Sequence, residues 1–469
     1  MKMAFWFLIC SFIQKGIGMI TTPIFTRIMI DSEYGRFGLY SSWYSIIAAI
    51  VTLSISGNCF TRGLVVLDDE QKRKELTSSL MGLVTTLIIS FCIVYAIFHN
   101  QINKITGLSE YLIAMMMIDL LLVTACQFWT NSKRVVYKYR EIVVITLSYA
   151  FLRPIIAVIA VLNVPESSQV EARVTGIAIA NAILFTWIFV YIFVKGKHFF
   201  IKENWKYALT FCLPLIPHYL SKTILNESDR IMISYFCGNA DVGYYSVAYT
   251  IAAIMTIFNS AVAQSLDPWL YRSIKTKSLS RIGPVSYKIT AIIALINFMV
   301  MAIAPEALFI LAPPSYHQAL WVIPPVTASV FFTFMYDLFA SFQFYFKKTN
   351  WIAIGSCIGA VLNIVLNAIF IPRFGFIAAG YTTLACYILF GILHYVFMRK
   401  ACNLYLDDYR IYDWKIIFGI GAVLVLGSFI MTVLYSHTII RYAVLLVFII
   451  VLILFRKKIM ELLKTVKQD

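Results

Sequence analysis

Charge is scarce in this sequence: Asp, Glu, Lys and Arg make up 13% of its 469 residues, about half the ~25% usual for soluble domains. So few charges cannot cover a water-facing surface, which excludes an ordinary soluble enzyme. No GxxxxGK[ST] phosphate loop occurs, so the chain does not drive itself with ATP. Nine cysteines are present, but no CxxC pair and no His at ligand spacing accompany them, which leaves no zinc or redox motif. They read as small core hydrophobes. Sizeable external loops with paired carboxylates or histidines are also missing, which counts against an enzyme working outside the membrane. The apolar start MKMAFWFLIC lacks a small-residue cleavage site, so it reads as an uncleaved first helix.

What the sequence does have is apolar length. Hydrophobic residues make up 61% of it, and the mean hydropathy is +0.81. Runs long enough to cross bilayer hydrocarbon as helix recur at approximately 4–24, 37–59, 77–98, 109–131, 142–162, 174–194, 207–235, 244–266, 285–311, 320–346, 351–371, 377–398, 416–434 and a shorter 441–455. The expected fold class is an all-α integral membrane protein with about 14 transmembrane helices. The net charge of +16 invites a nucleic-acid reading, but its placement argues for orientation instead. Alternating the loops between two sides puts about 28 of the Lys and Arg residues on one side and about 6 on the other. Lys72, Arg73 and Lys74 form one cluster on the rich side, and Lys133, Arg134, Lys138 and Arg140 another. Both termini are therefore expected in the cytoplasm, with the basic side facing anionic membrane lipids and no nucleic acid as partner.

The chain repeats itself. DRIM at Asp229 echoes TRIM at Thr26, and DVGYYS at Asp241 echoes EYGRFG at Glu33. Arg27 and Arg230 lie about 203 positions apart, Gly35 and Gly243 about 208, and Gly176 and Gly380 about 204. The expectation is two pseudo-symmetric six-helix bundles, residues 1–200 and 201–400, followed by a connecting loop and a helical pair over 401–469. Six spans per repeat is an even number, so both copies enter from one side, an arrangement suited to alternating access around a central site.

Ionisable residues inside spans are costly and mark candidate sites. Lys15, Arg153 and Lys222 are expected near mid-bilayer, with His218 one helical turn before Lys222. Together they suggest an electropositive chamber for an anionic group; alternatively each cation pairs locally with a carboxylate or carbonyl. Arg27, Arg230 and Arg62 lie nearer the interfaces, where snorkelling or packing is the plainer reading. Asp119 and Asp337 either exchange protons to couple transport or neutralise Lys15 or Arg153. Asp267, followed by Pro268, reads as a helix-end feature.

Several stretches together carry a family resemblance: TRIMIDSEYGRFGLYSS (26–42), FTRGL (60–64), LPLIPHYLSKTILNESDRIMISYFCGNADVGYYSVAY (213–249) and FKKTNWIAIGSCIGAVLNIVLNAIFIPRFGFIAAGY (346–381). The chain resembles the polysaccharide transporter branch of the multidrug/oligosaccharidyl-lipid/polysaccharide flippase superfamily. That resemblance implies a MATE-like fold and a non-enzymatic flippase of the bacterial cytoplasmic (inner) membrane. It would carry an undecaprenyl-pyrophosphate-linked oligosaccharide, the repeat unit of an O-antigen or capsule, from the inner to the outer leaflet. It further implies coupling to H⁺, Na⁺ or the membrane potential, no cofactor, and association with polysaccharide polymerase or assembly proteins. Sister peptidoglycan-precursor flippases carry arginines early in the first helix, where this chain has Thr21 and Thr22. The alternatives are a cation-coupled drug antiporter of the MATE type and an integral-membrane glycosyltransferase.

Overall fold

The computed structural model describes the backbone of residues 2–468 and the side chains of Ile13 and of residues 16–458. Helices follow one another from end to end, no strand occurs among the described residues, and the chain divides into two units, Met1–Glu227 and Ser228–Asp469. The first unit holds α1 (Lys2–Ile28), α2 (Asp31–Val51), the short α3 (Asn58–Val66), α4 (Glu70–Thr106), α5 (Glu110–Val135), α6 (Tyr139–Leu162), α7 (Gln169–Gly196) and α8 (Lys202–Cys212). The unit boundary falls inside α9 (Ile216–Phe236). The second unit continues with α10 (Asn239–Lys275), α11 (Ile282–Ala302), the short α12 (Ala304–Leu311), α13 (Ile323–Tyr345), α14 (Thr349–Phe374), α15 (Ile377–Tyr405), α16 (Trp414–Leu434) and α17 (Thr438–Gln468).

Among the described residues, 11 helices are long and apolar enough to cross a membrane. Three expected spans fall outside that set. Those are α2, with Asp31, Glu33 and Arg36, α9, with Lys222, Glu227, Asp229 and Arg230, and α1, where most side chains of the expected 4–24 run lie outside the described residues. Three runs expected to be continuous are interrupted. The 37–59 run stops at Val51, and positive φ at Leu53 and Ser54 (48° and 50°) turns the chain into α3. Around Pro214 the 207–235 run passes through a 3₁₀ turn, and the 285–311 run breaks at Ile303. Asp267 and Pro268 are not at a helix end: α10 continues through both to Lys275, and the Asp267 carboxylate accepts a hydrogen bond from Ser341 at 2.8 Å.

Local sequence explains the helix limits. Asp69 caps α4 by accepting from the Gln71 amide at 2.7 Å, and Ser109 caps α5 through the Leu112 amide. Between them Gly107 closes α4 at φ 69°, a left-handed conformation that glycine adopts without penalty. In the second unit α13 is the central helix, with 89% of its most apolar stretch buried. Phe331, Phe334, Phe339 and Phe342 are all fully enclosed there. By contrast α17 buries only 6% of its apolar stretch, as suits a helix facing lipid. It is fastened by a bidentate pair, Arg441 to Glu306 at 2.7 and 2.5 Å, on α12.

Lipid is as apolar as the helices, so association there rests on close packing rather than on escape from water. Gly176 of α7 shows this against α6. A Cβ at that position would stand 2.6 Å from the Ala157 Cα and 2.9 Å from its backbone nitrogen. Backbone atoms of a packed helix cannot step aside. Gly176→Val is therefore expected to destabilise the first unit by about 2 kcal/mol or more, read as a lower melting temperature of the purified protein in detergent. Gly419→Ala, with nothing within 4 Å of the added Cβ, should leave the melting temperature unchanged.

Candidate functional site

A cavity of about 520 Å³ lies inside the first unit, within the ~300–1,000 Å³ range of small-ligand sites. Four helices form it. From α1 come Ile17, Gly18, Thr21 and Phe25. Here Pro23 removes one intrahelical donor, and the Thr21 and Thr22 hydroxyls turn back to the Gly18 carbonyl at 3.2 and 2.8 Å, which bends helices. Gly18 leaves the space a larger side chain would fill. Phe37 and Ser41, four residues apart on α2, form the next wall; Tyr149, Arg153 and Ala157 line up on one face of α6; Arg173 and Ile177 complete it from α7.

Two guanidinium groups thus face one chamber, and among the described residues no Asp or Glu lines it. Arg173 is clamped between aromatic rings, 3.7 Å from the Phe25 centroid and 3.6 Å from that of Phe37, with Tyr34 at 5.6 Å. Such rings hold a cation by their quadrupoles. Arg153 donates to the Tyr149 hydroxyl and lies 5.3 Å from that ring centroid, while its buried Nε has no hydrogen-bond partner among the described residues. Asp119 is 3% exposed, accepts from Asn181, and forms no ion pair with Arg153, although its charge reaches that arginine. Arg153 therefore keeps the capacity to donate to a multi-oxygen anion, beside a second guanidinium in the same lining.

The TRIM–EYGRFG stretch positions the clamp. Gln169 holds the α1–α2 turn from the start of α7, accepting from the Ile30 amide and donating to the Ile28 carbonyl, both at 2.9 Å. Glu33 accepts from the Val170 amide at 3.1 Å, and Arg36 grips Glu171 at 2.6 and 3.3 Å. One helical turn beyond Gln169 stands Arg173. Sequence reasoning missed it by placing it at the edge of a loop. The signal was Gln169, Glu171 and Arg173, interleaved with Val170 and Ala172 and leading straight into an apolar stretch, which reads equally well as a helix start.

The other expected residues are distributed more widely. Lys15 is carried by α1, but its side chain lies outside the described residues. His218 and Lys222 sit on α9 and do not line the Arg153–Arg173 cavity; Lys222 is exposed, and His218 packs against Tyr219 at 5.4 Å. Arg27 is exposed and reaches the Pro23 carbonyl at 2.9 Å, and Arg62 is exposed at 5.8 Å from the Phe211 ring centroid. In the second unit Arg230 bonds the Ser246 hydroxyl at 3.2 Å and lies 4.9 Å from the Tyr249 ring centroid. Asp337 is half-buried on α13.

The second copy of the motif is built around a carboxylate. Asp229 is fully buried and accepts from Tyr245 at 2.5 Å, Asn363 at 3.1 Å, Asn367 at 2.7 Å and Thr383 at 2.7 Å. Ser228 adds a bond to Asn363 at 2.6 Å, and Thr382 donates to Asn367. Asp229 does not make the simple pair with Arg230 that adjacency suggests. Its donors come from α10, α14 and α15, so one acidic group ties three helices to α9. Among the described residues no group of three or more His, Cys, Asp or Glu could hold a metal.

The family model for polysaccharide biosynthesis proteins matches residues 1–274, more than half of the 469. The chain belongs to that family. Protein 1 of the Lsg locus of Haemophilus influenzae is 29% identical over 145 residues, 28% of this chain and 36% of that protein. An uncharacterized membrane protein of Methanocaldococcus jannaschii is 28% identical over 246 residues, 50% of this chain and 48% of that protein. The chain thus spans about half or less of these curated relatives. Among solved structures it resembles the lipid II flippase MurJ in an inward closed conformation, with a TM-score of 0.68 at 14% identity over 96% of this chain and 99% of that one. It also resembles an inward-facing multidrug resistance MATE family transporter of the MOP superfamily, at 0.63 and 11% over 84% and 99%. These likenesses show that this polysaccharide biosynthesis protein has the MurJ/MATE fold, the fold class expected from its sequence.

The buried carboxylate yields a prediction. Asp229→Ala strips the acceptor from four donors in a dry site, and each buried unsatisfied group costs about 1–3 kcal/mol. The melting temperature should fall by more than for any surface substitution, and native-like yield should drop. Asp229→Asn, which keeps one acceptor oxygen, should lose less.

Proposed function

We propose that this membrane protein is a flippase that moves an undecaprenyl-pyrophosphate-linked oligosaccharide, an O-antigen or capsule repeat unit, from the inner to the outer leaflet of a bacterial cytoplasmic membrane by alternating access. The observation that carries the reading is the cavity lined by Arg153 and Arg173, with no carboxylate among the described lining residues, in a member of the polysaccharide biosynthesis family. A diphosphate cannot shed its water in hydrocarbon unless charged donors replace it. A polyprenyl tail has no reason to leave lipid. The protein therefore needs to shelter only the head group, and the two guanidinium groups suit the diphosphate part of it. Binding must stay moderate, because a carrier that holds its cargo equally well in both states can release it on the far side. The likeness to MurJ supports a lipid-linked cargo, and membership of a polysaccharide biosynthesis family favours a surface glycan.

In this reading Lys15 and Lys222 add positive charge along the path, His218 adds a hydrogen-bonding imidazole, and Asp119 and Asp337 couple the cycle to H⁺ or Na⁺. Translocation of a radiolabelled lipid-linked oligosaccharide in proteoliposomes tests it. Arg153→Ala should slow flipping at least about tenfold, the loss expected for a charge-assisted contact, while Arg153→Lys retains part of the rate. Normal flipping by the Arg153→Ala, Lys222→Ala double variant would sink the assignment. Asp119→Asn and Asp337→Asn should remove the response to an imposed ion gradient. In cells lacking the protein, lipid-linked units should accumulate on the inner leaflet. Drug sensitivity without that accumulation would favour the antiporter.

A further inference from the structure

A second cavity in the first unit, of about 350 Å³, shares no lining residue with the Arg153–Arg173 chamber. It lies where α3, α4, α5 and α7 meet, at the basic side that the charge pattern assigns to the cytoplasm. Arg73, Lys74, Lys133, Lys138 and Lys195 line it, and among the described residues its lining carboxylates are Asp68 and Glu70. Some of this charge is already matched: Lys74 pairs with Glu70 at 2.8 Å and Lys133 with Glu141 at 2.5 Å. Arg73 is oriented rather than neutralised, because its Nε donates to the Leu64 and Leu67 carbonyls at 3.1 and 2.6 Å. Lys138 and Lys195 are exposed, and their ammonium groups form no hydrogen bond or ion pair among the described residues. Like charges gathered in a walled recess attract an anion.

The walls say which kind of anion. Trp129 and Tyr191 line the cavity, and the Lys133 ammonium lies 5.3 Å from the Trp129 ring centroid. Trp187 meets Trp129 edge-on at 5.8 Å and is 48% exposed. Trp and Tyr beside basic residues mark the depth of lipid head groups. From there an apolar stripe runs along α7 through Trp187, Val190 and Val194 back to Ile183, a helical spacing that keeps one face. All four side chains are exposed, and the stripe ends beside Lys195. A soluble phosphate would satisfy the cations but leave the stripe without a role.

We propose that this cavity binds the phosphate of an anionic glycerophospholipid, with the acyl chains lying along the Ile183–Val194 stripe. Arg73, Lys138 and Lys195 supply the donors to the phosphodiester oxygens, as basic pockets between membrane helices do for acidic head groups. A zwitterionic lipid brings its own ammonium into a site already rich in cations, so it binds less well. The inference stands apart from the transport reading, since none of these residues lines the Arg153 cavity.

The test is lipid retention by the purified full-length protein, measured by native mass spectrometry with phosphatidylglycerol and with phosphatidylcholine. The wild type should hold phosphatidylglycerol in preference. The double variant Lys138→Gln, Lys195→Gln changes only exposed side chains and should keep the wild-type melting temperature while binding phosphatidylglycerol about tenfold more weakly. Lys104→Gln, at the other end of α4, should bind like the wild type. Equal retention of the two lipids, or undiminished phosphatidylglycerol binding by the double variant, would overturn the proposal. Displacement of the lipid by millimolar inorganic phosphate would overturn it too, by showing that the pocket takes a free anion without its chains.

Discussion

A guanidinium inside a helical bundle must have something in place of its water, and much of the first unit follows from meeting that need. For Arg173 the substitute is two aromatic faces at 3.7 and 3.6 Å. Those faces belong to α1 and α2, so the arginine on α7 can be held only if the turn between α1 and α2 is fixed against the start of α7. Gln169, Glu33, Arg36 and Glu171 do this through backbone bonds and a bidentate pair. Arg153 bonds the Tyr149 hydroxyl and leaves its buried Nε without a hydrogen-bond partner among the described residues. Satisfying every donor internally would stabilise the arginine further.

The two halves answer a similar sequence with opposite chemistry. Where the first copy has Thr26, bonded to its own helix at the Thr22 carbonyl, the second has Asp229, which gathers four donors from three other helices. In the first unit the cations face a chamber; in the second the buried carboxylate is enclosed by hydrogen bonds. The two stretches resemble each other in sequence, but their polar residues differ at the positions that matter most.

Positive charge is found in three settings here. Half-buried arginines line a chamber, an arginine and four lysines line a recess at one edge, and Arg441 fastens α17 through Glu306. Only their surroundings distinguish them. Arg441 is 2% exposed and matched by a carboxylate, whereas the arginines of the chamber have none in its described lining.

The sequence alone determined that the chain is an apolar, all-helical membrane protein, because hydropathy is summed over about 20 residues per span and tolerates local error. It also singled out Arg153 by its depth and drew attention to the TRIM and EYGRFG stretches. It could not show that Arg173 lies inside a helix, since polar residues interleaved with apolar ones before an apolar stretch read as loop or as helix start. Nor could it show that Pro268 sits within α10, that Ile303 breaks a long apolar run, or that Asp229 turns toward Asn363 and Asn367 rather than Arg230. These choices depend on contacts between side chains far apart in the sequence, and only tertiary packing settles which of several polar neighbours a buried group meets.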